Sequence, residues 1–280
     1  MAALMKSGFS KRAWHERGAF TLIEILVVIS VVAILLAILM LALASARLQA
    51  RGLVCRSNLR QLVTAGIGYA TENDGFYVPA ASDMWDNAGL CRWHGVRESL
   101  DEPFDPVAGP LAGYLGEGAV KECPARVDFV KGAEWDTNFE QGCGGYGYNM
   151  TYIGSRLWQA GGGAMKDAYL RTTRMTEVGR PAQTLMFADT AMSNDGRRLI
   201  EYSFAEPPFT VYNGRPVTGF YMSPSIHFRH RRTANAGWAD GHVETRRRAE
   251  FDRTNVFGAD SAALRLGWFE PVDNTPFDLK

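Results

Sequence analysis

The chain has 280 residues, 46% hydrophobic and 21% charged, and its 30 basic and 30 acidic side chains cancel. Such values exclude a disordered or low-complexity chain, and the neutral balance gives no support to nucleic acid as a partner. Beyond an N-terminal apolar run, about 210 residues remain, enough for one sizeable core.

Lys6, Lys11, Arg12 and Arg17 open the chain and precede that run. From Ile25 to Ala44 there is no charged residue, and Ser30 is the one polar side chain. About 20 apolar residues span a bilayer as a helix, and a Lys/Arg-bearing flank is the side retained in the cytoplasm. A secretory signal would have a shorter apolar core followed by a small-x-small cleavage site. Arg47, Arg51, Arg56 and Arg60 lie beyond the run, so charge alone does not orient it. Glu24 sits at its mouth, where a carboxylate is costly and calls for a partner or a task.

The order Arg17-Gly18-Ala19-Phe20-Thr21-Leu22-Ile23-Glu24, leading into the apolar run, closely resembles the N-terminus of type IV prepilins and type II secretion pseudopilins. The resemblance implies that a prepilin peptidase removes a leader, residues 1–19, and that the new N-terminus is methylated. It further implies a single-pass inner-membrane protein with a cytoplasmic N-terminus and a globular domain in the periplasm or in an extracellular filament. The mature helix would pack against other (pseudo)pilin subunits. The family usually carries Gly before the scissile bond, and here Ala19 is interposed. Cutting after Gly18 makes Glu24 the sixth mature residue; cutting after Ala19 makes Phe20 the first and Glu24 the fifth. The second register is preferred, with methylation at Phe20, because Glu24 would then pair with the N-terminal ammonium of a neighbouring subunit in the apolar filament core. Losing the leader removes four basic residues and Glu16, leaving 26 basic against 29 acidic, a formal −3. The plainer alternative is a signal anchor whose Glu24 rests among lipid headgroups.

Past the apolar run the helical spacing continues through Leu48, Leu59, Leu62, Val63, Ile67 and Ala70. One helix is expected over residues 20–73, with its transmembrane segment at 25–44. Gly52, Gly66 and Gly68 weaken it locally, and Asn73-Asp74-Gly75 supplies a stop. Many pilins carry a kinking proline in this stem; here the first proline is Pro79.

Four cysteines, Cys55, Cys91, Cys123 and Cys143, follow the membrane segment without a CxxC pair. In an oxidising compartment they allow two disulfides in three connectivities. Cys123 and Cys143 bracket a short loop and are the preferred pair, while Cys55 falls where the long helix still runs.

Residues 74–280 read as a loop-rich domain with strands at Thr184–Ala188, Ile200–Phe204, Thr218–Met222, Ala236–Ala239 and His242–Arg246. Asp240-Gly241 favours a tight type I′ turn, in which both central residues take positive φ, and so predicts a hairpin. His230, nine residues and then Asp240-Gly241 resembles the C-terminal H-x9-DG motif of a family of prepilin-like proteins. Shorter stretches resemble the same family: Cys55–Leu62, Asn73–Pro79, Cys123-Pro124, Gly145–Asn149 and Pro181–Thr190. A structural role is the preferred reading, with His230 capping the hairpin through a backbone carbonyl or the Asp240 carboxylate. The sharper alternative is zinc, for which His227, His230, Asp240 and His242 offer ligands. Calcium has candidates in Asp101-Glu102 with Asp105 and in Asn194-Asp195, without EF-hand spacing.

Other motifs carry less. Gly142–Gly147 fits GxGxxG but runs toward a strand rather than a helix, against a dinucleotide site. There is no GxSxG, HExxH or P-loop, and His94 has no visible catalytic companion. Trp85, Trp93, Trp135 and Trp158, with Tyr146, Tyr148 and Tyr152, fill core or an interface rather than a glycan-stacking face. The fold expected is α+β and pilin-like, a long N-terminal transmembrane helix packed on a mostly antiparallel sheet. The function expected is a structural filament subunit, not an enzyme, with no cofactor. The alternatives are a membrane-anchored adhesin or binding protein using a pilin stem, and behind it a signal-anchored enzyme.

Overall fold

A computed structural model describes residues 21–85, 89–116, 118–125, 127–130, 140–161, 165–193, 195–219, 221–251 and 260–280. The chain divides into two compact units, the first ending at Ala46 and the second running from Arg47 to Lys280.

The first long element is α1, Leu22–Glu72, a single α-helix of 51 residues. In the first unit every described side chain from residue 21 to 44 is solvent-exposed, including Leu22, Ile25, Leu35 and Met40. An apolar surface of this length is unstable in water and suits lipid or a filament interior. Between Ile25 and Ala44 the one polar side chain is satisfied locally, since the Ser30 hydroxyl donates to the Val27 carbonyl at 2.8 Å.

In the second unit α1 changes character. Its buried residues are Cys55, Asn58, Leu59, Leu62, Val63, Ala65, Gly66 and Ala70, a stripe at three- and four-residue spacing that marks one face of a helix. The helix stops as its sequence predicts. Asp74 takes φ 51° and Gly75 φ 81°, and the Gly75 N–H reaches back to the Ala70 carbonyl at 2.8 Å, the long bond of a Schellman cap.

The stripe packs against a four-stranded antiparallel sheet in the order β1 (Tyr146–Tyr148), β2 (Leu185–Asp189), β3 (Thr233–Trp238), β4 (Val243–Arg247). Register aligns Tyr146 with Asp189, Ala188 with Ala236 and Gly237 with Val243. β1 and β2 are buried throughout, as strands covered on both faces must be, whereas β4 is mostly exposed, with Val243 and Arg246 half-buried. Two glycines let helix and sheet approach. A Cβ on Gly66 would lie 3.1 Å from Met186 Sδ, and one on Gly237 only 2.6 Å from Val63 Cγ2. The core around this contact includes Tyr146, Tyr148, Phe187, Trp93 and Trp238. The result is an α+β, pilin-like layout.

Two sequence-based strands are corrected. Ile200–Phe204 is extended but forms only isolated bridges, Met192 with Ile200 and Tyr148 with Phe204. It lies beside β1, where the Tyr148 N–H donates to the Ser203 carbonyl. Between residues 218 and 222 the described residues form no strand; the nearest ribbon pairs Val211–Tyr212 with Arg215–Pro216, because Asn213-Gly214 both take positive φ and turn the chain earlier.

Candidate functional site

Gly18, Ala19 and Phe20, the expected processing residues, lie outside the described residues. Glu24 is described, and its local role was not foreseen. Its carboxylate accepts the Thr21 N–H at 2.8 Å and the Thr21 hydroxyl at 2.9 Å, while the Glu24 N–H donates to Thr21 Oγ1 at 3.2 Å. This reciprocal pair is a capping box, spelled by Thr-x-x-Glu in the sequence. Glu24 is exposed, so its carboxylate remains open to a second partner.

The C-terminal segment forms the predicted hairpin with a different turn. Gly241 takes φ 100°, but Asp240 is not in the left-handed region, which rules out type I′. The Gly241 N–H bonds the Trp238 carbonyl, and the Trp238 N–H bonds the His242 carbonyl. This is a three-residue loop closed by a left-handed glycine. Asp240 holds its own loop, accepting the His242 N–H at 3.1 Å and contacting His242 Nδ1 at 2.6 Å. The His242 ring stacks on Trp238 at 5.8 Å.

His230 does not cap that hairpin. Its N–H and carbonyl exchange bonds with Thr233, and between them Arg231 and Arg232 sit at φ 55° and 67°. The type I′ geometry expected at Asp240-Gly241 therefore occurs at Arg231-Arg232, where two side chains tolerate a conformation costing roughly 1–2 kcal/mol per residue. The turn aims the His230 ring at Asp189, with Nε2 3.3 Å from Oδ2, and at Cys123 Sγ, 3.4 Å away. Cys55 Sγ lies 3.1 Å from the other Asp189 oxygen.

The preferred disulfide is corrected by this arrangement. All four cysteines are unbridged, and Cys123 turns its thiol to Cys55 and His230, not to Cys143. Its backbone is taken up by the Gly144 carbonyl, which holds it beside the Cys143 loop without aligning the sulfurs. Contact with Cys55, and then with His230, pulls the Cys123 thiol down to about 5. Burial pushes Cys55 far up. Burial also opposes ionisation of Asp189, yet His230, Arg229 and the Asn235 N–H hold its carboxyl below the usual range. Burial works against a charged His230, but Asp189 and Cys123 raise it to about 9.

The residues of the alternative zinc reading are not brought together in one group. Asp240 and His242 pair with each other at the exposed turn. His227 is buried in a separate ribbon with Leu266, where burial holds its ring well below the usual range. Among the described residues, only His230 of that set joins a group of metal-capable side chains. The calcium candidates fare no better among the described residues. Asp195 is held by the Arg197 and Arg198 N–H groups and the Arg198 side chain, Asp105 caps Val107, and Asn194 lies outside the described residues.

His94 has companions that its sequence neighbourhood does not show. Its Nε2 is 2.9 Å from Ser203 Oγ, the Ser203 hydroxyl donates to Glu140, and Glu140 is gripped by Arg92 at 2.8 Å. All four residues are buried, and burial drives His94 down to about 3. Ser203 thus lies between an imidazole and a carboxylate, with the carboxylate on the hydroxyl rather than on the imidazole, unlike the order of a Ser-His-Asp triad. Trp93, Tyr146, Tyr148 and Tyr152 are core residues, Trp85 is exposed, and Trp135 lies outside the described residues.

A family model described as the prokaryotic N-terminal methylation motif matches residues 14–40. No curated protein and no solved structure matches the chain. The methylation motif supports a type IV pilin-like protein, with processing by a prepilin peptidase and assembly with other pilin subunits as its implication. The matched segment ends well before His230. The single apolar helix is compatible with a single-pass membrane anchor.

Proposed function

We propose that this chain is a structural subunit of a type IV pilus-like or type II secretion-like filament. The observation that carries the reading is the methylation motif at residues 14–40, running into a helix whose first half is apolar and uncovered. In this reading residues 1–19 are a cytoplasmic leader, a prepilin peptidase cuts between Ala19 and Phe20, and Phe20 is methylated. The apolar half of α1 anchors the subunit in the inner membrane, and the domain from residue 74 is carried in the periplasm or on a filament. A structural role fits better than catalysis, because the buried Ser203, His94 and Glu140 are closed to substrate.

Co-expression with a prepilin peptidase, followed by intact mass and N-terminal sequencing, tests this. A product starting at methylated Phe20 is expected. A start at Ala19 keeps the family and overturns the register; an uncut chain overturns the pilin reading.

A further inference from the structure

Cys55, Cys123, Asp189 and His230 come from four separated parts of the chain: the second half of α1, the loop before β1, the end of β2 and the turn before β3. One donor atom from each lies within 4.8 Å of every other. Zinc bonds of ~2.3 Å to sulfur and ~2.0–2.2 Å to nitrogen or oxygen, at tetrahedral angles, place neighbouring donors about 3.2–3.8 Å apart. The contacts here are 3.1 Å from Cys55 Sγ to Asp189 Oδ1, 3.3 Å from Asp189 Oδ2 to His230 Nε2 and 3.4 Å from His230 Nε2 to Cys123 Sγ, the last two within that spacing and the first just under it. We infer that these four side chains form a structural zinc site that clamps α1 to the sheet.

Three further features fit a metal better than a plain disulfide. Two thiols need no carboxylate to bridge, yet Asp189 is fully buried beside them and turns one oxygen to Cys55 and the other to His230. The donors are also held from behind. Asp189 Oδ2 accepts the Asn235 N–H at 2.7 Å, and the Tyr146 hydroxyl donates to Cys55 Sγ at 3.4 Å while accepting from Asn58. Such outer contacts orient ligands. Finally, the charge closes. Two thiolates, one carboxylate and a neutral imidazole around a dication leave a formal −1, and the Arg229 guanidinium already acts on Asp189 and Cys123. On binding, the dication takes the place of the thiol and ring protons, which leave to solvent. Four protein ligands with little exposure make a closed site, the structural rather than the catalytic kind.

The full-length chain, purified in detergent without an immobilised-metal step, is analysed for zinc by elemental mass spectrometry. It is then exchanged with cobalt and examined for thiolate-to-cobalt charge transfer and the intense visible bands of tetrahedral Co(II). Stoichiometric zinc and the tetrahedral spectrum are expected. Cys123→Ser and His230→Gln, at the partly exposed members of the set, should weaken zinc retention against a chelator by at least about tenfold, and Cys91→Ser should leave it unchanged. Zinc retained by Cys123→Ser as well as by the parent overturns the assignment. So does a metal-free parent, whether its mass shows a Cys55–Cys123 disulfide or it takes up neither zinc nor cobalt with both thiols reduced. The parent's cobalt spectrum decides the matter even where a variant fails to fold.

Discussion

Glu206 is buried, with its carboxylate 3.1 Å from the Tyr202 hydroxyl. Burial raises it from 4.5 to about 7, so the native state keeps a proton that the unfolded chain has lost. Stability contributed this way is greatest at or below about pH 4.5 and falls as pH rises toward 7. Linkage puts the loss at roughly 3 kcal/mol across that window. Denaturant titrations at its two ends should show the parent weaker at the upper one, and Glu206→Gln should flatten much of that slope. A parent whose midpoint is the same at both ends would refute the buried protonated carboxyl. The Arg92–Glu140 pair is a different kind of burial, because its two charges answer each other and Ser203 supplies a further bond.

At the scale of elements, the contact between α1 and the sheet rests on the glycines that face it. Gly237→Ala places a methyl 2.6 Å from Val63, a distance that forces backbone or core to shift, and should cost about 1–3 kcal/mol. Gly66→Ala meets the flexible side chain of Met186 at 3.1 Å and Phe187 at an ordinary contact distance of 3.6 Å. Its gain in helix propensity, about 1 kcal/mol, should offset that crowding and leave it close to neutral. Thermal melts of the two variants check the ordering; equal losses would mean that the helix does not seat against β3 here. Much of this element was legible beforehand, since the spacing from Leu59 to Ala70 and the Asn73-Asp74-Gly75 stop are local signals. β2 was also legible, within a few residues, as a short apolar run, and β3 and β4 from the Asp240-Gly241 pair between them. The turn geometry was not, because Asp-Gly suits both a two-residue and a three-residue loop. Nor did anything near Arg231-Arg232 announce a left-handed pair. The partners of His230 were hidden for a related reason: Cys55, Cys123 and Asp189 become its neighbours only when helix and sheet close, and no sequence spacing records that.

For the whole molecule, the decisive question is what the first unit does outside water. Glu24 is committed to Thr21 in the single chain, and in the proposed filament it would also meet the ammonium of another subunit. Glu24→Ala should therefore still be cut by the peptidase but enter filaments poorly, at least tenfold less than the parent in sheared-filament fractions. Normal incorporation would count against a charge pairing between subunits. The Thr21→Ala variant separates the two roles, because it removes the hydroxyl of the cap while keeping the carboxylate.

The buried stripe from Cys55 to Ala70 also has a mechanical meaning. A pull along the axis of α1 acts on all of its side-chain contacts with the sheet at once, in shear, rather than opening them one after another as a zipper opens. Contacts loaded in parallel yield at a higher force than the same contacts loaded in series. Gly66 and Gly237 tighten the middle of that seam, and Cys55 stands near the end where tension enters the domain. Within the second unit, then, the seam between α1 and the sheet, rather than the sheet itself, is the part that would carry such a load.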